Sequence, residues 1–396
     1  MTDREAVIVA GARTPIGTAY KGTLSQIDAF TLATKAVAEA VRRSGLAPEA
    51  FDDVVIGESL YGGGAIGRYA AIDAGLVNAP GIAHNRHCAS GLSAIQTAAS
   101  SIIAGMDDVV VAGGVQSSST MPTVAWRCPA TDEWTENWLA PSHRETPDAP
   151  IADMSITVGW NTAVKAGVSR AEMDAWALRS HQRAIAGIDA GSFAAETFPI
   201  DVVRRDGSAV TFAVDEHPRR TTSLEKLASL PPLNRGIEGF SITAGNSAGV
   251  NDGAAALVVT DRAVARSEGL EPLAVVRAWA SVGVPPAETG LAPAAAIEKA
   301  LRRAGRSVED VALWEINEAF ASVAVAATRA LGLDEERVNV LGSGCSLGHP
   351  VAMTGARMVL TLSHELRRRG GGLGVAAMCA GGGMATAMLL EVPPSA

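Results

Sequence analysis

The sequence has 396 residues, of which 47% are hydrophobic and 19% charged, and its formal net charge is −9. A chain of this length can bury a large core and is expected to form two or three domains. The acidic excess argues against a nucleic-acid partner, and no apolar run reaches the roughly 18 to 20 residues that span a membrane. The four cysteines are far apart, and no signal-peptide pattern precedes the first strand, so we expect free thiols and a cytoplasmic location.

The first 115 residues alternate short apolar runs with helical patterns. The predicted strands are 6–10, 54–57 and 109–113, and the predicted helices are 29–44, 68–75 and 88–104. Such alternation is typical of an α/β fold with a buried, largely parallel sheet.

A different texture follows from about residue 116 to residue 246. Five tryptophans occur here among many Pro, Ser and Thr residues, with one clear helical pattern at 170–187. Long irregular segments inside a compact domain are usually functional, so this segment is predicted to pack over the sheet and form a pocket wall. The predicted division is therefore 1–119 plus 246–268 as a first half, 120–245 as an inserted loop domain, and 269–396 as a second half.

After residue 245 the α/β pattern returns and repeats the first half. Further strands are predicted at 256–260, 273–280, 313–316, 374–378 and 384–390, and further helices at 294–304, 319–331 and 351–368. The motif at 40–45 recurs at 300–305, and the same spacing relates Glu58 to Glu318. Unless these matches are chance in Arg- and Ala-rich helices, they indicate two copies of one α/β unit. At nearly the same spacing Cys88 corresponds to His349, so the turns that carry them should face each other.

Cys88 is the strongest candidate for a nucleophile. It opens a long apolar helical pattern that looks built to be buried. At a helix N-terminus, unpaired backbone N–H groups and the helix dipole favour the thiolate. The alternative is a small buried hydrophobic residue, the commonest fate of a free cysteine.

Three C-terminal loops of small residues add further reactive groups. They contain Asn317, His349 and Cys379, each at the end of an apolar strand or the start of a helix, where a backbone can approach a ligand closely. Each residue taken alone is more often structural. Together with Cys88 they supply a nucleophile, an imidazole, a second thiol and an amide, and this set is specific.

In these motifs the sequence resembles the thiolase family, along essentially the whole chain. The matches are Cys-Ala-Ser-Gly at Cys88, Asn-Glu-Ala-Phe at Asn317, Gly-His-Pro at His349 and Cys-x-Gly-Gly-Gly at Cys379. The resemblance implies a fold of duplicated α/β/α/β/α layers with an inserted loop domain. It also implies no metal or redox cofactor, with coenzyme A as a substrate.

The resemblance implies a role for each motif residue. Cys88 would carry the acyl group, and His349 would be the base that keeps it ionised. Cys379 would move protons on and off the acetyl-CoA α-carbon or the attacking CoA thiol. Asn317 would hold a water that forms one oxyanion site with His349, and the backbone N–H groups of Cys88 and Gly381 would form the other.

A second group of residues is implied to contact the substrate or CoA: Met154, Arg219, Ala244, Ser247, Ala248, Thr289 and Phe320. Some positions depart from the family's pattern. Ala248, next to Ser247, stands where the family has a serine that contacts the pantetheine arm, and Asp153 replaces a histidine. Cys345 adds a third thiol near the site, and we interpret it as a packing residue.

The expected function is a thiolase, which converts acyl-CoA and acetyl-CoA to 3-oxoacyl-CoA and CoA and back, in a homodimer or homotetramer. Thr289 stands where acetoacetyl-CoA-forming members have a longer methionine, which predicts a medium or bulky acyl chain and a degradative role such as fatty acid β-oxidation. If a loop-domain tryptophan fills the vacated volume, an acetoacetyl-CoA-forming acetyl-CoA acetyltransferase is the alternative. A non-catalytic protein that binds CoA esters is the other, whereas Cys379 argues against a decarboxylating ketosynthase.

Overall fold

A ten-stranded mixed sheet organises residues 4–59, 61 and 65–394, the part of the chain that this computed structural model describes. The strands, including two separate ribbons, are β1 (Ala6–Arg13), β2 (Gly17–Thr18), β3 (Asp53–Gly57), β4 (Ile82–His84), β5 (Val109–Ser117), β6 (Trp126–Arg127), β7 (Trp134–Thr135), β8 (Ile200–Val203), β9 (Ala209–Phe212), β10 (Asn251–Asp261), β11 (Ala274–Gly283), β12 (Val311–Ile316), β13 (Gly372–Ala380) and β14 (Met384–Val392). The helices are α1 (Ala29–Ser44), α2 (Ile66–Asp73), α3 (Ser90–Ala104), α4 (Asn161–Ala166), α5 (Arg170–Asp189), α6 (Leu224–Ala228), α7 (Arg262–Ser267), α8 (Ala292–Ala304), α9 (Ala321–Ala330), α10 (Gly344–Leu347) and α11 (Thr354–Arg368). Within the described ranges, none of these helices is long and apolar enough to cross a membrane.

The sheet is built from two copies of one unit. Its order is β12-β13-β14-β11-β1-β10-β5-β3-β4, with β2 paired to β10. Each copy contains one parallel pair, β3–β5 or β12–β13, followed by two antiparallel pairs. The copies meet where β1 pairs with β11 at Val7–Val275 and Ile8–Ala274. The predicted duplication is therefore confirmed.

The expectation of a largely parallel sheet is wrong. Among the described strands, only β3–β4, β3–β5 and β12–β13 run parallel. Strands that are buried on both faces have continuous apolar sequences whichever way their neighbours run, so the pattern contained no information on direction.

The repeated sequence motif corresponds to two equivalent helix ends. Helix α1 ends at Gly45 (φ 70°) and α8 ends at Gly305 (φ 62°), both in the left-handed conformation. Glycine adopts this conformation without the steric penalty of a side chain, and it stops the helix there. Two arginines in the last turn of each helix face the negative end of the dipole.

Helices α3 and α11 begin side by side at the centre of the molecule. A Cβ atom added at Gly91 would lie 2.5 Å from Ala352 O, and one added at Gly355 would lie 2.4 Å from Leu92 N. The two backbones are therefore closer than any side chain would allow. The turns that precede α3 and α11, which carry Cys88 and His349, consequently lie next to each other.

The segment between β5 and β10 divides into a packed part and an exposed part. Helix α5 begins with a capping box formed by Ser169 and Glu172, and it buries Met173 and Trp176 in the core. Residues 121–148 are mostly exposed by contrast. The precise limits of the three predicted domains stay predictions.

Buried Arg13 anchors the inserted segment to β1. Its guanidinium binds Glu196 at 2.6 Å and donates two hydrogen bonds to Asp215 at 2.8 and 2.9 Å. All three side chains are inaccessible to solvent or nearly so. Because removal of one partner would leave an uncompensated buried charge, this group fixes the insertion relative to the sheet.

Candidate active site

Cys88 lies in a tight turn directly before α3. His87 has a φ of 46°, an unusual conformation for a residue other than glycine. The hydroxyl of Ser90 closes the turn, since it accepts a hydrogen bond from Arg86 N (2.9 Å) and donates one to His87 O (2.7 Å). The predicted helix start is wrong by two residues, because α3 begins at Ser90 and Cys88 stands before its N-cap, Ala89.

The expected lowering of the Cys88 pKa is also wrong. Burial of the thiol raises its pKa to about 11, although the backbone N–H groups of Gly381 and of Cys88 itself donate hydrogen bonds that oppose the shift. Desolvation penalises the thiolate more than these donors stabilise it. At neutral pH the resting residue is therefore a thiol.

Cys379 and Gly381 lie beside Cys88 at the end of β13. Burial raises the pKa of the Cys379 thiol, and the nearby Cys88 raises it further. Gly381 directs its N–H at the Cys88 sulfur. The predicted nucleophile, second thiol and backbone donor are thus brought together.

Thr289 holds the glycine turn that follows Cys379. Its hydroxyl accepts a hydrogen bond from Gly383 N (2.9 Å) and donates one to Pro286 O (2.7 Å). The side chain is completely buried. Gly382 and Gly383 are both left-handed, with φ of 83° and 79°, so the turn depends on glycine as well as on this hydroxyl. Sequence analysis treated Thr289 only as a pocket wall.

His349 is held in one tautomer by Thr354. The Thr354 hydroxyl donates to Pro350 O at 2.9 Å, so it accepts the hydrogen of His349 Nδ1, 2.7 Å away. We assign the tautomer from these hydrogen bonds. The lone pair of Nε2 then faces the Asn317 amide, 3.4 Å away. Burial lowers the pKa of His349 to about 3, with a smaller effect of the Arg357 charge, so the ring is neutral and able to accept a proton.

Asn251 of the first half positions the His349 loop of the second half. Its side-chain oxygen accepts a hydrogen bond from His349 N at 2.9 Å, and its amide donates to Gly17 O at 3.0 Å. A Cβ atom at Gly348 would lie 2.6 Å from this amide. Asn317 contributes a buried side-chain oxygen that has no hydrogen-bond partner among the described residues.

The site therefore consists of two adjacent groups of residues. Cys88, Cys379 and Gly381 form one, and His349 and Asn317 form the other. No hydrogen bond joins the Cys88 thiol to the His349 ring among the described contacts. Catalytic hydrogen bonds are often long before substrate binds, so this geometry does not exclude proton transfer between the two.

Comparisons with known proteins agree with these motifs. Two protein-family models match the chain, "Thiolase, N-terminal domain" over residues 6–263 and "Thiolase, C-terminal domain" over residues 270–392. The acetyl-CoA acetyltransferase of Pseudomonas aeruginosa is 39% identical over 98% of this chain and 99% of the relative. The chain belongs to the thiolase family. It is also 38% identical to the 3-ketoacyl-CoA thiolase of Bacillus subtilis, over 98% of this chain and all of that protein. The crystal structure of the Bacillus anthracis acetyl-CoA acetyltransferase superposes with a TM-score of 0.89 at 39% identity, covering 98% of this chain and 99% of that one. These relatives are acyltransferases by name, and so is this thiolase by its family.

In this thiolase, Met154 and Phe320 border the same site. Met154 precedes a π-helical turn at Ser155–Trp160, a feature that is frequent at functional sites. Its sulfur lies 3.6 Å from where a Cβ atom of Gly381 would stand. Phe320 packs so closely on Gly159 that a Cβ atom there would lie 2.8 Å from the ring.

The remaining predicted CoA contacts lie farther along the inserted segment. Ser247 pairs with Phe320, but its hydroxyl donates to Thr243 O at 2.7 Å and is already engaged. Ala248 is half-buried and Ala244 exposed. Arg219 is exposed, and its guanidinium forms no hydrogen bond with a described residue.

Two departures from the family pattern have local explanations. The Asp153 carboxylate accepts hydrogen bonds from the N–H (3.0 Å) and the hydroxyl of Ser155, so it caps the π-helical turn. Cys345 is buried in the core, and its thiol donates to Glu318 O at 3.5 Å. The prediction that Cys345 is a packing residue is confirmed.

Sequence analysis missed Thr354, Asn251 and His87. Thr354 follows His349 by five positions at the start of a helix, a spacing that allows contact. Asn251 belongs to a polar segment that opens β10. His87 precedes the nucleophile directly, and its position alone was a signal.

Proposed function

We propose that this protein cleaves 3-oxoacyl-CoA with CoA, or runs the reverse Claisen condensation, through an acyl group on Cys88. One observation carries the proposal. A thiol, a second thiol and a backbone donor meet at Cys88, Cys379 and Gly381, beside a neutral imidazole whose proton is fixed on the far nitrogen. Breaking a carbon–carbon bond next to a ketone requires such a nucleophile, an oxyanion site and an acid for the departing enolate.

Acylation would begin with proton transfer from the Cys88 thiol to His349 Nε2. The thiolate then attacks the 3-keto carbon, and the C2–C3 bond breaks as its electron pair moves to the acetyl-CoA enolate. The Cys379 thiol gives its proton to C2, which releases acetyl-CoA. The Cys379 thiolate next takes the proton of the incoming CoA thiol, and CoA sulfur attacks the acyl carbon, which restores Cys88. Because both cysteines rest as thiols, the thiolate is generated only during turnover.

Two oxyanion sites support these steps. The N–H groups of Cys88 and Gly381 would form one of them, and His349 with a water on Asn317 would form the other. The unpaired side-chain oxygen of Asn317 supports a water there, because buried polar atoms usually have a partner. Each site is worth roughly 3–4 kcal/mol of transition-state stabilisation.

CoA and its esters are the partners that this chemistry requires. The steps above need only proton and acyl transfer, so we propose that no metal or redox cofactor takes part. Exposed Arg219 is proposed to contact the CoA phosphates, and Met154, Ala244, Ser247, Ala248 and Phe320 to border the pantetheine arm. The four cysteines are free, which agrees with the proposed cytoplasmic location.

We also propose a homodimer or homotetramer. Strand β4 is the edge of the sheet, and Ile82 within it is 47% exposed. Unpaired edges readily accept another strand. Trp126 stacks on Trp138 with ring centroids 4.7 Å apart, and Trp134 is 66% exposed, so the 121–148 segment offers a second apolar surface.

A medium or bulky acyl chain is the proposed substrate, and acetoacetyl-CoA is the alternative, since the relatives have names of both kinds. Trp126 and Trp134 are exposed in this chain and do not fill space inside it. Thiolysis rates from four-carbon to eight-carbon 3-oxoacyl-CoA distinguish the two. Each buried CH₂ is worth about 0.8 kcal/mol, or about fourfold in kcat/KM, so we expect 3-oxohexanoyl-CoA to react about tenfold faster than acetoacetyl-CoA. Thr289→Met should reduce the ratio, and Thr289→Val is its control because it loses the hydroxyl without adding length.

Intact-protein mass spectrometry tests the acyl-enzyme. Incubation with an acyl-CoA should add one acyl group to the wild type and none to Cys88→Ser, because serine lacks thiolate character. An acylated Cys88→Ser variant would place the nucleophile elsewhere. A wild type that binds acyl-CoA without forming the adduct would favour the non-catalytic alternative.

A further inference from the structure

His87 places an imidazole beside the nucleophile that the proposed mechanism does not use. A Cβ atom added at Gly381 would lie 3.8 Å from His87 Cγ and 3.6 Å from the Met154 sulfur. Gly381 also donates its N–H to the Cys88 sulfur. The His87 ring therefore stands next to the space that an acyl group on Cys88 must enter.

This ring has no partner of its own. Neither nitrogen of the His87 ring forms a hydrogen bond or ion pair with a described residue, and its backbone N–H alone is engaged, with the Asn85 side chain at 3.0 Å. Burial lowers the pKa of His87, and the only charged group that contributes to the shift is His143. Half-buried polar groups are normally satisfied, so a ring left free beside a nucleophile is suited to a polar substrate atom.

The backbone around His87 fixes where the ring stands. Its φ of 46° is unfavourable for a side chain with a Cβ atom, and the Ser90 hydroxyl holds His87 O at 2.7 Å. Strained residues persist where the surrounding structure imposes them, and they cluster at functional sites. The imidazole is thus presented by the same turn that presents Cys88.

A second imidazole lies on the segment that covers the neighbouring glycine turn. His143 Nε2 donates to Ala149 O at 2.9 Å, and its Nδ1 is 3.0 Å from the Ser142 hydroxyl. Ser142 packs on Gly382, where a Cβ atom would lie 2.7 Å from its side chain. The segment is therefore seated over the loop after Cys379, and His143 is close enough to His87 to act on its charge.

From this arrangement we propose that His87, with His143 behind it, selects a 3-oxoacyl-CoA whose acyl chain ends in a carboxylate. This inference rests on the proposed thiolase function. A carboxylate can accept a hydrogen bond from His87 and can stabilise positive charge on either ring. A plain alkyl chain would cover the His87 ring nitrogens without bonding them, and sites with unpaired buried polar groups reject such substrates strongly.

The test compares two six-carbon substrates, 3-oxoadipyl-CoA and 3-oxohexanoyl-CoA, in wild type, His87→Leu and His87→Gln. We expect wild type to prefer 3-oxoadipyl-CoA in kcat/KM by about tenfold or more, the usual value of one hydrogen bond to a charged group. His87→Leu should lose this preference and keep its rate with 3-oxohexanoyl-CoA. His87→Gln retains an N–H donor and should keep most of the preference.

Other outcomes would overturn the inference. A wild type that prefers 3-oxohexanoyl-CoA, or a preference that His87→Leu leaves unchanged, removes the specificity role and leaves the thiolase function intact. Equal loss of both substrates in both variants makes His87 a structural part of the turn. Failure of wild type to cleave either substrate, with no acyl group on Cys88, refutes the proposed function itself.

Discussion

Replacing Thr354 with valine should slow acylation of Cys88 by about ten- to a hundredfold. Valine has nearly the shape of threonine, so the packing stays, but the hydroxyl is lost. That hydroxyl accepts the His349 Nδ1 hydrogen at 2.7 Å and donates to Pro350 O at 2.9 Å. His349 is buried, so water cannot readily take its place.

The magnitude follows from the tautomers of the imidazole. Without Thr354 the Nδ1 hydrogen has no acceptor, and an unsatisfied buried donor costs about 1–3 kcal/mol. The ring can escape this cost by carrying its hydrogen on Nε2 instead. That tautomer cannot accept the Cys88 proton. The reactive form is then disfavoured by about 1–3 kcal/mol, and each 1.36 kcal/mol is a factor of about ten in rate.

Single-turnover kinetics of acetyl-CoA release from a 3-oxoacyl-CoA measure this step directly. Thr354→Ser keeps the hydroxyl and is the matched control, which should stay within about threefold of wild type. Thermal unfolding of both variants separates loss of stability from loss of the tautomer. A Thr354→Val enzyme that acylates within about twofold of wild type, or a serine variant as slow as the valine one, would refute the reasoning.

Three further predictions concern the thiols and the helix contact. Alkylation of Cys88 by iodoacetamide, followed by peptide mass spectrometry in a Cys128→Ser background that lacks the more acidic exposed thiol, should accelerate steadily from pH 6 to about pH 10, because its pKa is raised to about 11; a rate already constant at pH 7 would contradict this. Cys379→Ala should still take up an acyl group but lose deuterium exchange into acetyl-CoA, and normal exchange would assign that proton transfer to another residue. Gly355→Ala places a methyl group 2.4 Å from backbone and should cost about 1–3 kcal/mol or more of the free energy of unfolding, whereas Gly283→Ala, which has no neighbour within 4 Å, should change it by less than about 0.5 kcal/mol in denaturant titrations; equal effects would contradict the close contact.

Local sequence determined the elements, the repeat and the set of reactive residues. Helix α1 was predicted at 29–44 and spans Ala29–Ser44, because its apolar spacing and the glycine after it are both local signals. The motifs at Cys88, Asn317, His349 and Cys379 sufficed for the family. The repeat also predicted that the Cys88 and His349 turns lie together, since equivalent positions in two like units are related by the same geometry.

Tertiary structure decided what these residues can do. Strand direction in the sheet depends on connections that the apolar pattern does not encode. The pKa of Cys88 followed from desolvation by residues of the other half, which outweighs the backbone donors that the sequence suggested. Thr289 became the anchor of a glycine turn only because β13 and β14 bring Gly383 to its hydroxyl. Burial and hydrogen bonding between distant segments set charge state and orientation, and neither quantity is a property of a residue's neighbours in sequence.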